Sequence, residues 1–116
     1  RIAKNFLNYN SLLKSCDIGL STVIIKKILF NNGLKFPKLK TKEDFVLWLK
    51  LLKKNNKIMA LNETLVSWRK LDNSLSSSLL QRLFDGFKVY NKYMNYNYLK
   101  SLYLLTFLFL NFLKKK

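Results

Sequence analysis

The chain has 116 residues, room for one domain with a modest core, and its 49% hydrophobic content rules out a disordered polar tail. Lys and Arg total 22 against 6 Asp and Glu, a formal charge of +16, and there is no histidine. A Ser-His-Asp triad, a Cys-His pair and a His-ligated zinc site are therefore excluded, and the single Cys16 excludes an internal disulfide or a thiolate metal cluster. A lone cysteine fits a reduced, intracellular setting. The chain opens on Arg1 rather than Met and is expected to be the C-terminal part of a longer protein.

Asn8 to Ser15 reads as a short helix anchored by Leu12 and Leu13. Ser21-Thr22-Val23-Ile24-Ile25 is β-branched and apolar and predicts a buried strand. Lys26 to Asn32 follows as one or two helical turns, stopped by Gly33 at the C-terminal cap position. Phe36-Pro37 marks an extended connector, because the residue before proline avoids the α region. From Thr41 the pattern is clearest: Phe45, Trp48, Leu49 and Leu52 fall at i, i+3, i+4 and i+7, one apolar stripe on a helix that ends at Asn55-Asn56. Lys50, Lys53 and Lys54 lie toward its C-terminus, where cations suit the helix dipole.

Ile58 to Leu61 and Thr64 to Arg69 predict two short strands. The polar, serine-rich Asp72 to Ser78 predicts a loop. Leu79 to Met94 predicts an amphipathic helix burying Leu80, Leu83, Phe84, Phe87 and Tyr90, with Gln81, Arg82, Asp85, Lys88 and Lys92 outside. Asn95 to Asn97 breaks the pattern. Tyr98 to Leu113 is apolar nearly all round and closes on three lysines. It is shorter than the roughly 20 apolar residues of a membrane span and is interrupted by Lys100, Thr106 and Asn111. Two readings stay open for it: a helix lying at a membrane interface, or one packed on protein.

The basic balance has two origins to weigh. Of the 22 cations, 19 are Lys and 3 are Arg, beside 13 Asn and 25 Leu, the usage of an AT-rich genome. Phosphate and base recognition favour the bidentate fork of arginine, so this charge speaks more for a solvated lysine face than for nucleic acid. Without histidine, general-base work falls to Asp17, Glu43, Asp44, Glu63, Asp72 or Asp85. Only Glu43 and Asp44 are adjacent, at the start of the best-formed helix. A carboxylate there can take a proton from a hydroxyl nucleophile. Equally, Thr41-Lys42-Glu43-Asp44 has the spacing of a capping box.

From Tyr9 to about residue 90 the chain resembles the C-terminal half of family 2 glycosyltransferases, in particular bacterial enzymes that build surface polysaccharides. Tyr9 to Gly19 resembles the family's lead into its central strand, and Ser21-Thr22-Val23-Ile24-Ile25 its STVM-type strand. Thr41-Lys42-Glu43-Asp44-Phe45-Val46-Leu47-Trp48-Leu49 resembles the ED-x-x-LWL motif. Leu61-Asn62-Glu63-Thr64-Leu65-Val66-Ser67-Trp68-Arg69 with Ser74-Leu75-Ser76 resembles the L-x-x-x-L-x-x-YR…S-x-S ending. Trp68 stands where the family has tyrosine.

The resemblance implies an α/β chain: residues 1–77 as the acceptor-side part of a GT-A catalytic domain, and 78–116 as a C-terminal helical region. It implies inverting transfer from a nucleotide-sugar donor to a saccharide or lipid-linked acceptor. Asp44 would be the catalytic base, Glu43 and Trp48 would line the acceptor side, and Arg69, Ser74 and Ser76 would face the donor diphosphate or a loop over it. Favouring the helix start for Glu43, core packing for Trp48, an exposed strand-end cation for Arg69 and a helix-starting turn for Ser74 and Ser76 remain the alternatives from the residues themselves. A divalent metal, Mg or Mn, is implied for the full-length enzyme. The acidic pair that binds it in the family precedes the strand and has no counterpart in this chain, so the chain alone is expected to be inactive. The implied location is cytoplasmic, peripheral on an anionic membrane surface, with no nucleic acid partner. The competing class is a non-catalytic basic module that binds nucleic acid or anionic membrane.

Overall fold

A computed structural model describes residues 6–67 and 78–114. In chain order these form β1 (Phe6–Leu7), α1 (Tyr9–Lys14), a 3-10 turn (Leu20–Thr22), α2 (Ile28–Asn31), α3 (Glu43–Lys53), β2 (Ile58–Met59), α4 (Leu79–Lys88), a π-helical turn (Val89–Tyr93) and α5 (Tyr98–Leu113). The fold is thus mostly helical with little strand. Several helix ends lie where polar residues interrupt the apolar pattern. Asn8, Ser78 and Asn97 are the N-caps of α1, α4 and α5, each side chain accepting the backbone N–H three residues on. Gly33 closes α2 at φ 81°. Asn55 does the same for α3 at φ 59°, and the Asn55 and Asn56 N–H groups return to the Leu52 and Leu51 carbonyls, which completes a Schellman motif.

The core centres on α3. Phe45, Val46, Leu47, Trp48 and Leu49 are all sealed from solvent, joined by Leu12 and Leu13 from α1, Leu34, Val89, Tyr90 and Met94, and Leu104 and Leu108 from α5. A helix apolar on every side must be covered on every side. The cover is tied to α1 through its last carbonyls, which a helix leaves without internal partners. The Tyr90 hydroxyl donates to the Leu13 carbonyl at 2.6 Å, and the Asn111 amide donates to the Lys14 carbonyl at 2.9 Å. Tyr90 also meets Phe45 edge-on, ring centroids 6.2 Å apart.

Three expectations need correction. Ser21–Ile25 is not a strand: Leu20–Thr22 winds into a 3-10 turn closed by the Thr22 hydroxyl on the Gly19 carbonyl, and Ile24 is fully exposed. Extended backbone becomes sheet only beside a partner, and among the described residues none runs alongside. Ile58–Leu61 shortens to Ile58–Met59, paired antiparallel with Phe6–Leu7. Thr64–Ser67 carries no strand and is exposed; Trp68 and Arg69 lie outside the described residues.

A further correction concerns the Leu79–Met94 helix. Its α-helical part stops at Lys88, where the Met94 N–H reaches back five residues to the Val89 carbonyl. Its inner face is Asp85, Gly86, Val89 and Tyr90, whereas Leu80 and Phe84 are 79% and 59% exposed. Gly86 explains part of the rotation. A Cβ there would come within 2.9 Å of Leu105 Cδ1, so the bare glycine lets α5 approach closely. Replacing Tyr90 with Phe should lower stability by about 1–2 kcal/mol, because the buried Leu13 carbonyl loses its donor. Urea unfolding of the two proteins at equal denaturant slope checks this.

Candidate active site

The acidic pair sits where α3 begins. Asp44 is half-buried in the first turn, and its Oδ1 accepts the Phe45 N–H at 2.7 Å. Its Oδ2 accepts no hydrogen bond from the described residues. Asp44 thus has one oxygen committed to the helix start and one open. Glu43 beside it is also half-buried.

The capping box expected at Thr41 is not formed. The residue entering the helix is Lys42, in the left-handed region at φ 67°, with no side-chain cap. Thr41 is buried and directs both of its donors elsewhere. Its N–H and its hydroxyl reach Asp85 Oδ2 at 3.0 and 2.9 Å. Gln81 Nε2 donates to the same oxygen at 2.9 Å. Asp85 is 1% exposed. Burial works against its ionisation, but the hydrogen bonds from Gln81 and from the Thr41 side chain and backbone, with the nearby Lys88 cation, outweigh it. The carboxyl is held below the usual carboxylate value.

Asp85 was expected on the outer face of its helix and is instead the buried anchor of the segment leading into Glu43-Asp44. An aspartate four residues after a glutamine and next to a glycine was the only hint in the sequence. Trp48 lies in the core at 1% exposure, and its indole N–H has no acceptor among the described residues. Arg69, Ser74 and Ser76 lie outside the described residues. The structure therefore brings together Glu43, Asp44, Thr41 and Asp85, and sets Trp48 beneath them on the same helix.

A cavity of about 290 Å³ opens at the far end of α3, lined by Gly33, Leu34, Lys50, Lys53, Lys54, Tyr93 and Met94. Glu43, Asp44 and Trp48 do not border it. Among the described residues no group of three carboxylate or thiol side chains could hold a metal ion. They do not fit a divalent metal.

Comparison with known proteins now gives the class: the curated relatives of this chain are glycosyltransferases. The chain is 34% identical over 109 residues to the Escherichia coli UDP-Glc:alpha-D-GlcNAc-diphosphoundecaprenol beta-1,3-glucosyltransferase WfgD, covering 92% of this chain and 42% of that protein. It is 30% identical over 99 residues to TuaG of Bacillus subtilis, a glycosyltransferase assigned to teichuronic acid biosynthesis, covering 85% of this chain and 39% of TuaG. A second Escherichia coli glucosyltransferase of the same named specificity as WfgD, WfaP, is 35% identical over 77 residues, 66% of this chain and 30% of that protein. The chain thus spans about two fifths, or less, of the curated relatives it matches. No protein-family model matches it, and no solved structure matches it.

The charge on Asp85 has a consequence for stability. A carboxyl whose folded pKa is depressed stabilises the fold above its unfolded pKa, and that contribution is lost as pH falls through the folded value. Melting temperature should therefore decline as pH drops below about 4, more steeply in the wild type than in Asp85→Asn. At neutral pH the variant should be the less stable, and the gap should narrow in acid. Thermal unfolding monitored by circular dichroism across this range is the check.

Proposed function

We propose that this chain is the acceptor-side half of an inverting family 2 glycosyltransferase of the GT-A type, acting on a saccharide carried by a diphosphate-linked lipid. The observation that carries the reading is the similarity to WfgD across 92% of the chain, with the acidic pair of the ED-type motif opening a buried helix. WfgD and WfaP are named for a UDP-glucose donor and a diphosphoundecaprenol acceptor, which supports a nucleotide-sugar donor and a lipid-linked acceptor here. The nucleotide-binding part, and the carboxylates for a divalent metal on the donor diphosphate, belong on this reading to residues outside this chain.

In the transfer, the open Oδ2 of Asp44 takes the proton of the acceptor hydroxyl as that oxygen forms its bond to the anomeric carbon of the donor. The bond from that carbon to the nucleoside diphosphate breaks, and the leaving group keeps the electron pair. Attack from the face opposite the leaving group inverts the configuration. Glu43 orients the acceptor, Trp48 supports the helix from within the core and touches no substrate, and Arg69, Ser74 and Ser76 serve the donor side by charge-assisted and hydroxyl hydrogen bonds.

Base and helix-end acceptor make different demands on Asp44. Asparagine keeps an oxygen for the Phe45 N–H but cannot take a proton. In the full-length protein, Asp44→Asn should keep its melting temperature and its nucleotide-sugar affinity while turnover falls by about 100-fold or more. Glu43→Gln should lose much less. Near-normal transfer by Asp44→Asn would reduce this carboxylate to a structural role.

The proposed location is the cytoplasmic face of an anionic membrane. No helix among the described residues is long and apolar enough to cross a membrane. α5 instead presents two faces. Ser101, Leu104 and Leu108 are buried, while Leu99, Leu102, Tyr103, Leu110 and Leu113 are exposed along one stripe, with Lys100 and Lys114 near its ends. Such a stripe suits the headgroup–acyl boundary, with its lysines at the lipid phosphates. Because the inner face of α5 belongs to the core, removing the helix would disturb the fold, so substitutions on the outer face give the cleaner test. Leu110→Glu with Leu113→Glu should abolish flotation on anionic phospholipid vesicles at unchanged melting temperature. Unchanged flotation would count against membrane docking through this face.

A further inference from the structure

The segment that delivers Asp44 is held from outside its own helix. Thr41 directs its N–H and its hydroxyl to one oxygen of Asp85, 44 residues along the chain, and Gln81 donates to that same oxygen. Between this clasp and Asp44 lie only Lys42 and Glu43. Lys42 adopts a left-handed conformation that disfavours any side chain beyond glycine and supplies no cap. Such a conformation persists only where its surroundings over-determine it. On one side it is fixed by Thr41 and on the other by the first helical bond, from the Val46 N–H to the Lys42 carbonyl. Asp85 in turn is embedded: Gly86 beside it meets α5 at Leu105 and Leu108, and Asp85 itself has next to no solvent contact.

We infer that Asp85 is a positioning residue for glycosyl transfer: it clasps Thr41 so that α3 starts at one fixed place and the Asp44 carboxylate faces the acceptor hydroxyl. This rests on the reading of Asp44 as the base. Asp85 touches no substrate and takes no proton in the reaction. It substitutes, from α4, for the local cap that the Thr41-x-x-Asp44 pattern would otherwise supply. That arrangement leaves Asp44 free of a capping duty toward Thr41.

Two readouts on the full-length protein decide the matter. The first is amide hydrogen exchange. In Asp85→Asn, exchange at residues 41–45 should rise about tenfold or more while residues 49–52 of the same helix keep their protection, the pattern of a locally released helix start. The second is steady-state transfer. Asp85→Asn should lower kcat by about 10- to 100-fold, the scale of a misplaced catalytic group, with KM for the nucleotide-sugar unchanged. Asp85→Glu, which restores the charge, should regain part of the loss. Tyr9→Phe removes a hydroxyl pair with Tyr96 remote from the acidic pair and should leave kcat near wild type. Unchanged exchange at residues 41–45, or unchanged kcat despite faster exchange, overturns the positioning role. If the wild type transfers no sugar at all, the assignment of Asp44 as base falls and the positioning role with it. The exchange comparison, which needs no turnover, shows separately whether the clasp fixes the helix start.

Discussion

From Phe45 to Leu49 helix α3 has no solvent face, and every other element is arranged around that fact. A helix segment that is apolar on all sides has nowhere to sit except inside, yet the elements available to enclose it are short. α1 spans six residues and α4 ten, and the paired strands two each. The enclosure is therefore made by side chains that bridge between elements. Tyr90 and Asn111 bind the end of α1, Tyr9 binds Tyr96, and Asp85 binds Thr41. The buried helix sets the demand, and these hydrogen bonds satisfy the backbone and carboxyl groups that its burial takes from water.

This arrangement also explains where the acidic pair can stand. A buried helix meets solvent only at its ends, and α3 has lysines at one end and carboxylates at the other, each where the helix dipole favours it. The lysine end opens onto the Lys50–Tyr93 cavity. The acidic end carries Glu43 and Asp44. Elsewhere some of the cations lie over rings. Lys14 covers Phe107, Arg82 covers Phe112, Lys88 covers Phe84 and Lys100 covers Tyr96. That part of the charge is set against aromatic surface.

The parts legible in the sequence were those governed by local chemistry. The helical stripe from Phe45 to Leu52, the polar residues before α1, α4 and α5, and the turns at Gly33 and Asn55 depend on neighbours within a few residues, and the structure has them there. The failures share a different cause. Val23-Ile24-Ile25 has strand composition, but a strand is a relation between two segments, and sequence order alone does not supply the second. Asp85 reads as a surface residue because its partner Thr41 lies 44 positions away. The rotation of α4 follows from that bond and from Gly86, so Leu80 and Phe84 were placed inside by periodicity and lie outside. Of the candidate site, the Glu43-Asp44 pair was legible and its support was not.

The bond between Lys14 and Asn111 has a consequence for how the protein is made. It joins residues 97 positions apart, and the Tyr90–Leu13 bond spans 77. At synthesis rates of roughly 5–20 residues per second, α1 waits about 4–20 s for the residues that bind its end, and the apolar run of α3 about 2–12 s for those that cover it. Through that interval the segment that ends most deeply buried is complete but unenclosed. A nascent chain in that state is a natural client for chaperones that bind short apolar stretches.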